Sequence, residues 1–172
     1  MEGMKKGMLF LFLLGLLLVS PAIAETEAFF SPGENIKENI LKELESVTLT
    51  LDVAIHEITS LDMAQALVKT KQRGVKVRVI VDSKQANIRT SKITYLIQQG
   101  ISVKVLGQKE RGVMNHRFAI LDGKRVLTGS LDWSEASLKW NYESLLVLHE
   151  ADMVDSFQKE FERLWREKRI IR

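Results

Sequence analysis

The sequence predicts an α/β domain, a mixed β-sheet flanked by helices. Two observations carry this. Apolar runs of strand length alternate with helix-period segments from Asn35 onward, which suits a sheet with helices packed on it. Phe118 to Leu121 is a four-residue apolar run, followed by the turn signal Asp122-Gly123 and a returning run, Arg125 to Thr128.

The chain has 172 residues, room for one domain plus an extension. Residues 1–24 read as a secretory signal peptide and lie outside the domain. Lys5 and Lys6 precede the apolar run Met8 to Val19, and Ala22-Ile23-Ala24 is an A-x-A cleavage site. The alternative is an uncleaved anchor, but the run is shorter than the ~20 residues that span a bilayer. The domain is then 25–172, and the expected location is secreted or bacterial periplasmic.

The chain carries 25 Lys and Arg against 22 Asp and Glu. Losing Lys5, Lys6 and Glu2 with the leader leaves a net +2, too small to demand a polyanionic partner. There is no Cys, hence no disulfide and no thiolate metal site.

Glu25 to Gly33 reads as a short lead ending in the turn Ser31-Pro32-Gly33. Asn35 begins a helix to about Ser46, with Ile36, Ile40, Leu41 and Leu44 on one face. Val47 to Ile55 alternates apolar and polar residues, a half-buried strand. His56 to Ser60 is a loop. Leu61 to Arg73 is a helix stopped by Gly74. Val75 to Val81 is a β-branched strand ending at Asp82. Ser91 to Gln99 is a helix and Ile101 to Leu106 a strand. Gly107 to Gly112 is a polar loop, Ser134 to Lys139 a helical turn, and Leu145 to Leu148 a strand. Asp152 to about Lys168 is an amphipathic helix docked through Val154, Phe157, Phe161, Leu164 and Trp165. The basic tail to Arg172 reads as a solvated end.

Chemistry concentrates between Asn115 and Glu143. Asn115-His116-Arg117 is followed by four residues, Asp122, six residues, and Gly129-Ser130-Leu131-Asp132. Asn141-x-Glu143 follows. This spacing resembles the signature of the phospholipase D superfamily, His-x-Lys, four residues, Asp, six residues, Gly-Ser-x-Asn. The likeness is strongest to its short single-motif members, the bacterial endonucleases and mitochondrial cardiolipin hydrolases. Asp122, Gly129, Ser130, Asn141 and Glu143 match. Asn115 stands at the nucleophilic His, Arg117 at the Lys and Asp132 at the Asn. The resemblance covers roughly residues 29 to 165.

The resemblance implies a phospholipase D-like fold with one motif per chain, and a homodimer placing two signatures across one cleft. It implies phosphodiester hydrolysis, of phospholipid or nucleic acid, through a phosphohistidine, with no cofactor and no metal. Asn115, Arg117, Asp122 and Glu143 then occupy catalytic positions. Ser130, Gly129, Asp132 and Asn141 line the substrate, and His56 and Glu57 border the cleft.

Chemistry qualifies that expectation. An Asn side chain only donates and accepts hydrogen bonds, so Asn115 is no nucleophile. Arg117 suits phosphate as a bidentate fork, while Asp132 brings a negative charge to the anion site. Glu143 is expected to pair with Arg117 or the Asn115 amide. His116 is a candidate substitute nucleophile, although successive strand residues point to opposite faces; His56 is another. Two readings stay open: a phosphodiesterase with impaired activity, and a non-catalytic member that binds a phosphodiester or a protein.

Overall fold

The computed structural model describes residues 26–107 and 112–167. The leader, most of the Gly107 to Gly112 loop and the basic tail lie outside the described residues. Seven strands form one mixed sheet: β1 (Glu27–Ser31), β2 (Thr50–Ile55), β3 (Lys76–Asp82), β4 (Ser102–Leu106), β5 (Arg117–Leu121), β6 (Arg125–Gly129) and β7 (Glu143–Leu148). Five helices cover it: α1 (Ile36–Ser46), α2 (Leu61–Gln72), α3 (Ile93–Gln98), α4 (Glu135–Lys139) and α5 (Ala151–Arg166). The strand order is β1-β7-β6-β5-β2-β3-β4. β2, β3 and β4 run parallel, joined by helical crossovers, and the rest pair antiparallel.

The sheet has two buried faces. Helices α1 to α4 pack on one, through Ile36, Ile40, Leu44, Leu67, Leu96 and Leu138 against Leu51, Val53, Val79, Ala119 and Leu127. Helix α5 covers the other, through Val154, Phe161 and Leu164 against Ala54, Ile80, Phe118 and Ile120.

That second cover corrects the reading of β2 as half-buried. Asp52 is only 4% exposed. Its carboxylate takes two 2.7 Å hydrogen bonds from Arg78, its register partner on β3, and one of 3.0 Å from Gln158. Arg78 also donates to Glu162 at 2.6 Å and lies over the Phe161 and Trp165 rings. The hydrogen-bonded Asp52 carboxylate holds the guanidinium charged against the cost of its burial, with Glu162 adding to the effect. An alternating polar residue on a strand marks solvent only where no second layer exists.

The lead segment is a further correction. Glu27 to Ser31 forms the edge strand β1, pairing antiparallel with β7 from Glu27 opposite Val147 to Ser31 opposite Glu143.

Candidate functional site

The parallel strands β2 and β3 deliver their C-terminal ends to one end of the sheet, the usual binding end of an α/β fold. Because β5 runs antiparallel to β2, with Ile55 opposite Arg117, the start of β5 lies at that same end. There Asn115, Arg117 and Asp132 meet. Arg117 Nη1 donates to Asn115 Oδ1 at 2.9 Å, and Nη2 donates to Asp132 Oδ2 at 2.9 Å. The ion-paired side chains are 23% and 15% exposed. Arg117 Nε and Asp132 Oδ1 are buried without a hydrogen-bond partner. The cavity behind Arg117, between Ile40, Ile55 and Trp133, measures about 10 Å³, room for one water at most.

Backbone contacts place this cluster. Asp82, at the end of β3 and 1% exposed, accepts the Met114 N–H at 3.0 Å on one oxygen and those of Lys84 and Gln85 on the other. Trp133 C=O accepts the N–H groups of Thr59 and Ser60, and Trp133 N–H donates to Glu57 C=O, so the loop after β6 is tied to the loop after β2. Asp82 and Trp133 are missing from the sequence-derived site. An acidic residue closing a β-branched strand was the legible signal for Asp82; nothing local marks the Trp133 carbonyl.

Two sequence-derived placements, those of Asp122 and Glu143, need correction; His116 sits where strand alternation put it. His116 lies across β5 from Arg117, as strand alternation requires. Its Nε2 sits 3.2 Å from Glu160 Oε1, and its ring meets Phe118 edge-on beneath α5. Glu160 is held below the usual carboxylate range, first by the Arg163 hydrogen bond and then by His116.

Asp122 lies just past the opposite end of β5, about five residue steps or 17 Å along the strand from Arg117. It adopts φ 54° and accepts the N–H groups of Thr48 (3.0 Å), Leu49 (2.7 Å) and Thr50 (2.9 Å), plus the Thr48 hydroxyl (3.0 Å). It anchors the chain entering β2 rather than touching the site. Burial pushes its carboxyl up, but those donors together hold it below the ordinary range.

Glu143 is bonded to neither Arg117 nor Asn115. It accepts from the Ser130 hydroxyl and, at 3.1 Å, from Asn141 Nδ2. Ser130 Oγ also accepts the Ser144 N–H. Gly129 permits this approach of β6 to β7: a Cβ there would lie 1.9 Å from Ser144 O.

His56 stays at the site end. Its Nδ1 is 3.2 Å from Met114 O. A carbonyl only accepts, so Nδ1 carries the proton and Nε2 keeps its lone pair. Glu57 accepts the Thr59 hydroxyl at 2.9 Å. Among the described residues, no group of three or more His, Asp or Glu stands ready to hold a metal ion.

A family model described as "Cardiolipin synthase, PLD-like domain" matches residues 40–165. The chain belongs to the phospholipase D superfamily. Within this superfamily it is similar to the mitochondrial cardiolipin hydrolases of Chlamydomonas reinhardtii, 37% identical over 125 residues, and Homo sapiens, 33% over 133 residues. These matches cover 73% and 77% of this chain but 55% and 52% of the relatives, so the chain spans about half their length. Among solved structures it resembles NucT from Helicobacter pylori, with TM-score 0.76, 28% identity, and coverage of 81% of this chain and 94% of that one. Nuc from Salmonella typhimurium, a phospholipase D family member, has TM-score 0.77 at 23% identity, with coverage of 84% and 96%, and attests the fold. The single-motif type, the mixed sheet and the flanking helices all agree with the sequence reading.

Proposed function

We propose that this chain is an exported, homodimeric member of the phospholipase D-like phosphodiesterases whose cleft recognises phosphodiesters with little or no turnover. One observation carries the reading. The face that presents Arg117 offers Asn115 and Asp132, bonded to it, and no histidine, because His116 is turned to the other face of β5, toward Glu160 of α5. Covalent phosphoryl transfer needs a nucleophile with an available lone pair, and an amide has none. The ligand class, phospholipid or nucleic acid, follows from the family. Export is supported by Lys5, Lys6, the apolar run and Ala22-Ile23-Ala24; the mitochondrial names belong to the relatives. A homodimer is supported by the single signature per chain. A two-fold dimer repeats the Asn115 change on both sides of the cleft.

His56 favours a second reading, a working phosphodiesterase with a displaced nucleophile. Its Nδ1–H, fixed by Met114 O, leaves Nε2 free for attack at the correct end of the sheet.

Hydrolysis of bis(p-nitrophenyl) phosphate without added metal separates the two. The first reading expects no turnover from the parent, and turnover appearing when Asn115→His, Arg117→Lys and Asp132→Asn are combined. Parent turnover that His56→Ala abolishes establishes the second reading. Parent turnover that His116→Ala alone abolishes overturns both.

A further inference from the structure

Met114, the residue before Asn115, lies outside the sheet, since β5 begins only at Arg117. Its side chain is 5% exposed, in the core beneath α5. Both polar groups of its backbone are held by side chains instead of a neighbouring strand. The N–H donates to Asp82 Oδ2 at 3.0 Å, and the C=O accepts His56 Nδ1–H at 3.2 Å. The two holders come from adjacent strands. Ile55 is level with Val81 in the parallel pair, so His56 and Asp82, the next residues, leave β2 and β3 side by side.

Asp82 is a costly residue for this place. It is 1% exposed and forms no ion pair among the described residues. A carboxylate buried without a cation persists only where several donors hold it. Oδ1 takes the N–H groups of Lys84 at 2.8 Å and Gln85 at 3.2 Å, a local turn that a neutral Asn makes equally well. The charge is needed for the second oxygen, which reaches Met114. Gly107 closes over the same contact. A Cβ there would lie 2.6 Å from Asp82 Oδ2 and 3.2 Å from the Met114 nitrogen.

We propose that Asp82 is a positioning residue for His56. By fixing Met114, it holds the carbonyl that keeps the His56 proton on Nδ1, so that Nε2 retains its lone pair at the site end. Among the described residues nothing bonds to that Nε2. The tautomer of a neutral imidazole is set by the bond its other nitrogen makes. With Met114 released, the proton is shared between the two nitrogens and the lone pair is lost part of the time. Asp82 acts on the ring whether or not the site turns over; its effect on catalysis alone rests on the reading in which His56 is the nucleophile.

The chain has three histidines, so each imidazole signal is assigned by single substitution. Imidazole nitrogen spectra of the isotope-labelled protein are recorded at about pH 8.5, above the ordinary imidazole range. The parent is expected to show His56 as the Nδ1–H tautomer. Asp82→Asn keeps one oxygen for the turn and sets its NH2 against the Met114 N–H, because an amide has a single acceptor. It should convert His56 to a mixture of tautomers and leave His116 and His149 unchanged. Gly107→Ala reaches the contact from the other side and should do the same, so it decides the matter if Asp82→Asn does not fold. Retention of the Nδ1–H form in a folded variant overturns the proposal and leaves Asp82 a turn residue. A parent His56 protonated on Nε2 overturns it too, as does a shift of all three histidines together, which is general loosening. In a parent that hydrolyses bis(p-nitrophenyl) phosphate through His56, Asp82→Asn should lower kcat on the order of 100-fold, and unchanged kcat overturns the proposal. The spectra judge Asp82, and turnover by the parent judges the nucleophile reading.

Discussion

Asp132 holds Arg117 at 2.9 Å, so the cation that would receive a phosphoryl oxygen already has an anionic partner from its own chain. A neutral residue at 132 leaves the guanidinium its charge and removes the competitor. Asp132→Asn should therefore raise affinity for inorganic phosphate on the order of tenfold, read by titration calorimetry at low salt. The size follows from removing one like charge about 5 Å from the anion at an effective dielectric of about 20, discounted for exposure and screening. Unchanged phosphate affinity would mean that Arg117 is out of reach of any ligand.

Gly129→Ala tests the packing of β6 against β7. The added methyl meets Ser144 O at 1.9 Å, and backbone has no flexible end to move aside. Destabilisation of about 3 kcal/mol or more is expected in urea unfolding, as for other strain-creating substitutions. The loss should be accompanied by weakening of the Ser130 to Ser144 contacts beside the site.

Asp122 predicts a pH dependence of stability. Its folded pKa is depressed below the ordinary carboxylate value, so it contributes stability above that pH. The contribution is lost as pH falls from about 4 toward the folded value. Asp122→Asn should cost about 2 kcal/mol at pH 7, because one amide oxygen replaces a carboxylate that accepts several bonds. At pH 2 the difference from the parent should shrink. Urea midpoints at the two pH values check both statements, and a parallel offset at both would reject the ionic account.

Arg78→Ala leaves the Asp52 carboxylate buried with only Gln158 beside it. Breaking a buried pair from one side costs about 3–5 kcal/mol. Replacing the pair as a whole, Arg78→Met with Asp52→Leu, should recover most of that. Thermal unfolding of the single and double variants measures the difference.

Much of this molecule was legible in its sequence where local rules and tertiary structure agree. The α1 stripe Ile36, Ile40 and Leu44 is buried as its period requires, and Asp122-Gly123 turns β5 into β6. Strand alternation alone separated His116 from Arg117. What stayed hidden depends on contacts distant in the chain. β1 is extended because β7 needs an edge partner, which nothing in Glu27 to Ser31 announces. Asp52 is buried because α5 arrives a hundred residues later with Gln158. The sequence offers Glu143 either Arg117 or the Asn115 amide, but its carboxylate is taken by Ser130 and Asn141.

The pairing of β1 with β7 also sets an order of events. As the chain emerges from the ribosome, its first strand has no partner until nearly the whole domain has been made. The sheet cannot be completed early, so the nascent chain stays open for as long as Glu143 to Leu148 is missing. Contacts of such long sequence separation also slow folding.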